Sequence, residues 1–183
     1  MQQAALQQAR DIVAFWRQAG PGKWFAKDDA FDAAIRQQFE ALHFAAARRE
    51  LDDWLDDAEG ALALLLLLDQ FPRNLFRGSA HAWAADPLAR HVAGRAIVRG
   101  HDAAFDPQLR AFFYLPYEHA EDVQDQARSV ELFRALGNVG YLDYALEHQR
   151  IIERFGRFPH RNHALGRTST PEEQAWLEAG GGF

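Results

Sequence analysis

Apolar residues recur along this chain at helical intervals. Leu6, Ala9, Val13 and Trp16 stand at i, i+3, i+7 and i+10, and Gly20-Pro21-Gly22 then stops the pattern. Asp28 or Asp29 is placed to cap a second helix, whose core stripe is Phe31, Ile35, Phe39 and Leu42. Residues 61–68 are apolar on every side, which predicts a central buried helix ended by Pro72. Ser79 and the pairs Asp86-Pro87 and Asp106-Pro107 are expected N-caps, and Thr170-Pro171-Glu172-Glu173 spells a capping box. No stretch alternates with period two over six residues, and no Asn-Gly or Asp-Gly turn occurs. The pattern predicts an all-α protein of about eight helices joined by short loops. One all-helical domain over residues 1–183 is expected, with 180–183 as a frayed tail.

Two long helices are expected near the C-terminus, over about residues 117–136 and 138–155. The link Gly137-Asn138-Val139-Gly140 is too short for anything but an antiparallel neighbour. Their expected stripes are Val123, Ala127, Val130 and Phe133 on one, and Tyr141, Tyr144, Ala145, Ile152 and Phe155 on the other. Residues equidistant from the turn stand level, which sets Glu118, Glu121 and Asp122 beside Arg154, Phe155, Arg157 and Phe158. His119 falls level with Phe158 and close to His160. His148 is expected roughly 15 Å nearer the turn, at a rise of ~1.5 Å per residue.

Composition narrows the function. The chain has 183 residues, 48% of them hydrophobic and 25% charged, enough for a real core and against disorder. A net charge of -6 argues against nucleic acid or an anionic membrane as partner. The absence of cysteine excludes disulfides, zinc–thiolate sites, iron–sulfur clusters and thiol catalysis. Residues 1–6 carry neither a basic nor an apolar export region, and 61–68 is too short to span a bilayer, so a soluble cytoplasmic protein is expected.

The chemistry concentrates in residues 154–167, Arg-Phe-Gly-Arg-Phe-Pro-His-Arg-Asn-His-Ala-Leu-Gly-Arg, with four arginines and two histidines. Asp69-Gln-Phe-Pro-Arg-Asn74 echoes Arg157-Phe-Pro-His-Arg-Asn162 with one residue fewer. Two such loops brought together make an anion site, since guanidinium forks read carboxylate or phosphate. Its expected members are Asp69, Arg73, Asn74, His119, Arg157, His160, Arg161, Asn162 and Arg167. In the alternative reading each Phe-Pro is only a helix stop and the arginines pair with acids. The hairpin then supplies partners for Arg154 and Arg157 but none for Arg161 and Arg167. His119 and His148 lie on apolar stripes, as hydrogen-bonded core histidines do. In an active site His119 or His160 is the general acid or base and Glu121 the orienting carboxylate.

Metal ligation finds weaker support. Glu40-Ala-Leu-His43 has the Glu-x-x-His spacing of di-iron helix bundles, but no second such pair occurs. His119-Ala-Glu-Asp122 lacks an assured third ligand. No metal ligand set is expected, and no cofactor either: Gly-x-Gly-x-x-Gly, Walker, Gly-x-Ser-x-Gly and His-Glu-x-x-His motifs are all absent. Residues 52–59 lack EF-hand spacing and read as a solvated loop whose acids start the buried helix. Trp24 and Trp54 are self-association anchors if exposed, and core residues otherwise.

The chain resembles the bacterial domain of unknown function 924 family. The resemblance rests on Val13-Ala-Phe-Trp16, Lys23-Trp-Phe-Ala-Lys-Asp28, Leu65-Leu-Leu-Leu-Asp-Gln-Phe-Pro-Arg-Asn74, Leu115-Pro-Tyr-Glu-His-Ala-Glu-Asp122, and the segment 154–162 with Leu165-Gly-Arg167. It implies helices in stacked antiparallel pairs, a right-handed array like tetratricopeptide repeats (TPR-like), although no 34-residue consensus is visible in the chain itself. The family brings no established activity. Two functions remain: a binding module whose Arg/His-lined pocket or groove takes an anionic small molecule or acidic peptide, and a hydrolase or transferase that uses His/Glu acid–base chemistry with an arginine clamp. Oligomeric state is open.

Overall fold

Helices form where the expected caps stand, with one exception. The computed structural model describes residues 2–182, and among them it contains helices, turns and no strand. Helix α1 spans Gln2–Ala19, α2 Pro21–Trp24, α3 Asp29–Ala47, α4 Ala58–Leu65, α5 Phe71–Leu75, α6 Asp86–Val98, α7 Pro107–Glu118, α8 Val123–Leu136, α9 Val139–Phe155 and α10 Pro171–Glu178. Eight of these have eight residues or more. Asp28 caps α3 through the amides of Ala30 and Phe31, and Asp106 caps α7 through those of Gln108 and Leu109. Thr170 and Glu173 close the capping box of α10. The exception is Asp86, which is the first residue of α6 rather than its cap. Its carboxylate instead takes both terminal nitrogens of Arg73 at 3.0 Å, a stronger charge-assisted fork than a cap bond. Ser79 precedes a 3-10 turn, Ala80–Trp83.

The chain divides into two compact units, Met1–Arg77 with His81–Pro116, and Gly78–Ala80 with Tyr117–Phe183. The first unit is built on Trp16, fully buried, with the rings of Trp24, Phe31, Phe71 and Phe112 at 5.5–5.9 Å. Ala9, Val13, Phe31, Ile35 and Phe39 are buried as their spacing requires. His43 and Ala46 extend the α3 stripe, while Leu42 is only half-buried. Every residue from 61 to 68 is buried. Asp57 caps this central helix, and the neighbouring Trp54 and Leu55 are core, as is Trp24.

Pro72 does not end the buried helix. The backbone widens into a π-turn over Leu66–Gln70, where the Phe71 amide bonds to Leu66 O, and helix resumes as α5. The widened turn gives the proline ring room against the preceding carbonyls, and its missing N–H falls at the start of α5. The Asp69–Asn74 segment is therefore helical and not the loop its Phe-Pro suggests.

In the second unit α8 and α9 pack as an antiparallel pair. Gly137, at φ 77°, makes the left-handed turn, and Asn138 caps α9 through the Tyr141 amide. The expected helix over 117–136 is broken. Helix α7 ends at Glu118, and Asp122 starts α8 afresh by accepting from the Gln124 and Asp125 amides. The break changes the buried stripe. Val123 is 56% exposed and Ala127 is exposed, whereas Gln126 and Ser129 are wholly buried beside Val130 and Phe133. Gln126 Nε2 donates to Glu118 O at 2.6 Å and Ala120 O at 2.8 Å, satisfying carbonyls that the end of α7 leaves over. On α9, Ala145, His148, Ile151 and Ile152 are buried but Tyr144 faces solvent. At the expected tail, the Gly180 and Gly181 amides bond back to Leu177 O and Trp176 O, and Phe183 lies outside the described residues.

Candidate functional site

In the second unit the polar chemistry gathers around Phe158, which is fully buried. Gly156, at φ 70°, ends α9, and Pro159 opens a 3-10 turn, Pro159–Arg161, that folds His160 and Arg161 back over the ring. The Arg161 guanidinium carbon stands 4.5 Å from the Phe158 centroid. The rings of His148 and His160 lie 5.5 and 5.7 Å from it, and the His119 ring is 6.2 Å from that of His148. Glu118, also buried, places Oε1 3.5 Å from His148 Nδ1.

His148 is thus a member of the cluster and not 15 Å away. A separation of that size holds only if His119 rides a helix continuous with α8. The chain breaks after Glu118 instead, and His119 leaves that register. His148 Nδ1 bonds to Tyr144 O at 2.9 Å, so in the neutral ring the lone pair sits on Nε2. Its pKa falls to about 3. Burial is the main cause, helped by His119, Arg161 and His160 and opposed by the Tyr144 carbonyl.

The arginines find partners other than those the hairpin suggests. Arg157 forks onto Glu173 at 2.7 and 2.8 Å, and Arg154 pairs with Glu172 at 2.8 Å. Arg167, expected to lack a partner, forks onto Glu121 at 2.8 and 2.7 Å. The reason is α10, whose acidic first turn returns to the end of α9 and displaces the acids near residue 120 as partners. Burial raises the Glu121 pKa, but Arg167, the Phe158 amide at 2.8 Å and Arg161 together hold it below the usual range. The Arg157 hydrogen bonds bring Glu173 down to about 2, helped by the Thr170 amide and by Asn162. Asn162 is 1% exposed, its Nδ2 reaches Ser169 Oγ and Glu173, and its Oδ1 makes no hydrogen bond.

The first unit holds the other expected members. Arg73 is charged between Asp69 and Asp86, whose fields outweigh the cost of burial. Asn74 donates to Asp32 at 2.7 Å, and Arg77 forks onto the same carboxylate. With Asp29, Arg36 and Gln37 these residues line a shallow depression of about 470 Å³. The second unit alone therefore brings together His119, Glu121, Arg157, His160, Arg161, Asn162 and Arg167 from the expected set, and adds Glu118, His148 and Glu173. His148 was legible as a polar residue on an apolar stripe. Glu173 was visible only as a cap, because nothing local says where α10 docks. Among the described residues no group of three or more His, Asp or Glu stands in metal-holding geometry.

Residues 12–181 match the model of the family described as "Bacterial protein of unknown function (DUF924)". The chain belongs to this family. Among solved structures it is similar to that of a protein of unknown function from Agrobacterium tumefaciens. The two are 59% identical, with a TM-score of 0.92 over 95% of this chain and 98% of the other. No curated protein matches it. Family membership bears out the resemblance read from the motifs and the all-α fold, and it leaves the chemistry to the geometry around Phe158. Among the described residues no helix is long and apolar enough to cross a membrane.

Proposed function

We propose that this chain is a helical module that binds a small anion of the phosphate or dicarboxylate class at His119, His148, His160 and Arg161. The observation that carries the reading is the convergence of the His148 and His160 imidazoles and the Arg161 guanidinium on Phe158, with His119 beside His148. Arg157 and Arg167 are each committed to a carboxylate fork, which makes them the frame, while the Arg161 guanidinium stands over Phe158 among the imidazoles. Arg161 is 6% and His148 7% exposed, a depth that suits a small molecule better than an acidic peptide laid on the surface. In this reading the helix pairs stack as a right-handed, TPR-like array, to which the antiparallel α8 and α9 conform. The reading places this work in the cytoplasm, with which a chain free of cysteine is in keeping.

A second reading, an acid–base enzyme, draws on the Glu118–His148 contact and the basic Nε2 that it orients. A base with a pKa of about 3 takes up a proton poorly at neutral pH, which favours binding over turnover. The test is a histidine-detected NMR titration with inorganic phosphate and succinate. An anion beside His148 raises its pKa by a unit or more, and Arg161→Gln weakens binding at least ~10-fold. Unmoved histidine resonances at ~10 mM of either anion refute the site.

A further inference from the structure

We infer that the anion held in the second unit carries a hydroxyl, as a hydroxy dicarboxylate does, and that Gln126 and Ser129 of α8 receive it. The inference rests on the anion reading above and names the class of ligand. Both side chains are wholly buried, yet Gln126 Oε1 and Ser129 Oγ each lack a hydrogen-bond partner. Buried polar groups are nearly always paired, because an unmet one gives up its hydration without return. The Gln126 amide can stand only one way. Its Nε2 donates to Glu118 O at 2.6 Å and to Ala120 O at 2.8 Å, which only the NH2 end can do, so the acceptor end faces away from them.

The two atoms belong with the His148 cluster. Glu118, whose carbonyl Gln126 holds, places Oε1 3.5 Å from His148 Nδ1. Three residues apart, Gln126 and Ser129 share the buried face of α8. Helices α8 and α9 run antiparallel about the turn at Gly137 and Asn138, and both are unbroken between that turn and these residues. His148 therefore stands level with Ala127, between Gln126 and Ser129. At a rise of ~1.5 Å per residue, the two lie ~1.5 and ~3 Å from it along the axis. One hydroxyl serves both atoms, donating its proton to Gln126 Oε1 and accepting that of Ser129. An ammonium also donates, but the fields of His119, Arg161 and His160 already oppose a proton on His148, and they oppose a further cation in the same way. The carboxylates of such a ligand answer Arg161 and the imidazoles by charge, and its hydroxyl answers α8 by hydrogen bonding.

The experiment is calorimetric titration of the wild type and Ser129→Ala with L-malate, D-malate, succinate and L-aspartate at pH 7. Malate and succinate share their two carboxylates and differ by one hydroxyl. One malate enantiomer binds ~3–10-fold more tightly than succinate, the range of a neutral hydrogen bond, and L-aspartate binds no more tightly than succinate. Ser129→Ala removes a hydroxyl that holds no partner within the protein, so the fold loses no bond. It brings malate down to succinate and leaves succinate unchanged. The comparison of ligands on the wild type needs no variant. Equal binding of succinate and both malates overturns the inference and gives the two atoms to a buried water. Tighter binding of L-aspartate than of malate, or a Ser129→Ala protein that keeps the preference for malate, overturns it as well. Each of these results leaves the anion site standing, whereas failure of every ligand to bind refutes that site and the hydroxyl with it.

Discussion

His148 makes an acid-sensitive link in the second unit. An imidazole at 6.5 in the unfolded chain and about 3 in the native state binds its proton only after unfolding over most of that interval. Unfolding then takes up protons, and stability rises with pH. The contribution is fully present above pH 6.5 and is lost as the pH falls toward 3. Integrating the linkage from pH 7, the loss is about 2 kcal/mol at pH 5 and about 3 kcal/mol at pH 4. At ~2–4 °C per kcal/mol, about 2 kcal/mol is roughly 4–8 °C in Tm. Urea melts of the wild type and His148→Gln at pH 7, 6 and 5 isolate the effect, because the other titrating groups are common to both. Glutamine keeps a donor for Tyr144 O but does not titrate, so its deficit at pH 7 shrinks by about 2 kcal/mol at pH 5. Parallel pH profiles for the two proteins refute the reasoning, and with it the burial of a neutral imidazole beside His119, Arg161 and His160.

Two further changes probe the frame around the cores. Glu173→Gln preserves volume but removes the charge that Arg157 grips, and it costs about 2–3 kcal/mol at pH 7. Glu173 ionises at about 2 when folded, so this deficit holds above pH 4.5 and fades as the pH falls toward 2. A variant that melts with the wild type at pH 7 means that α10 is not clamped by this pair. Gly60→Ala drives a Cβ into the Trp54 carbonyl, a backbone atom between a 3-10 turn and α4 that has no room to retreat. It costs ~3 kcal/mol or more in a denaturant melt, and near-neutral behaviour would show that the turn shifts freely.

How far the fold could be read ahead of the structure follows from the range of the forces involved. Caps and apolar stripes act within a turn or two, so Asp28, Asp106 and Thr170 appear where spacing places them, as does the buried stretch from 61 to 68. Local reading failed where a residue had a better offer from far along the chain. Asp86 gave up a cap bond for Arg73, and Gln126 took a core position because α7 ends with carbonyls to satisfy. Pro72 is tolerated because a π-turn precedes it, and such a turn has no sequence signature.

The arginine-rich segment shows the same limit at the level of chemistry. The sequence shows the cations of residues 154–167 but not which acid each arginine holds. That pairing depends on α10, whose capping box announces a helix start and not a docking site. Once Glu172 and Glu173 reach Arg154 and Arg157, Glu121 is released to Arg167, and the set of partners shifts by one. Beside these pairs stand His148, with Glu118 at 3.5 Å and the His119 ring at 6.2 Å, and His160 and Arg161 against Phe158. Which acid each of Arg154, Arg157 and Arg167 holds is therefore set by where α10 docks, and no local pattern states it.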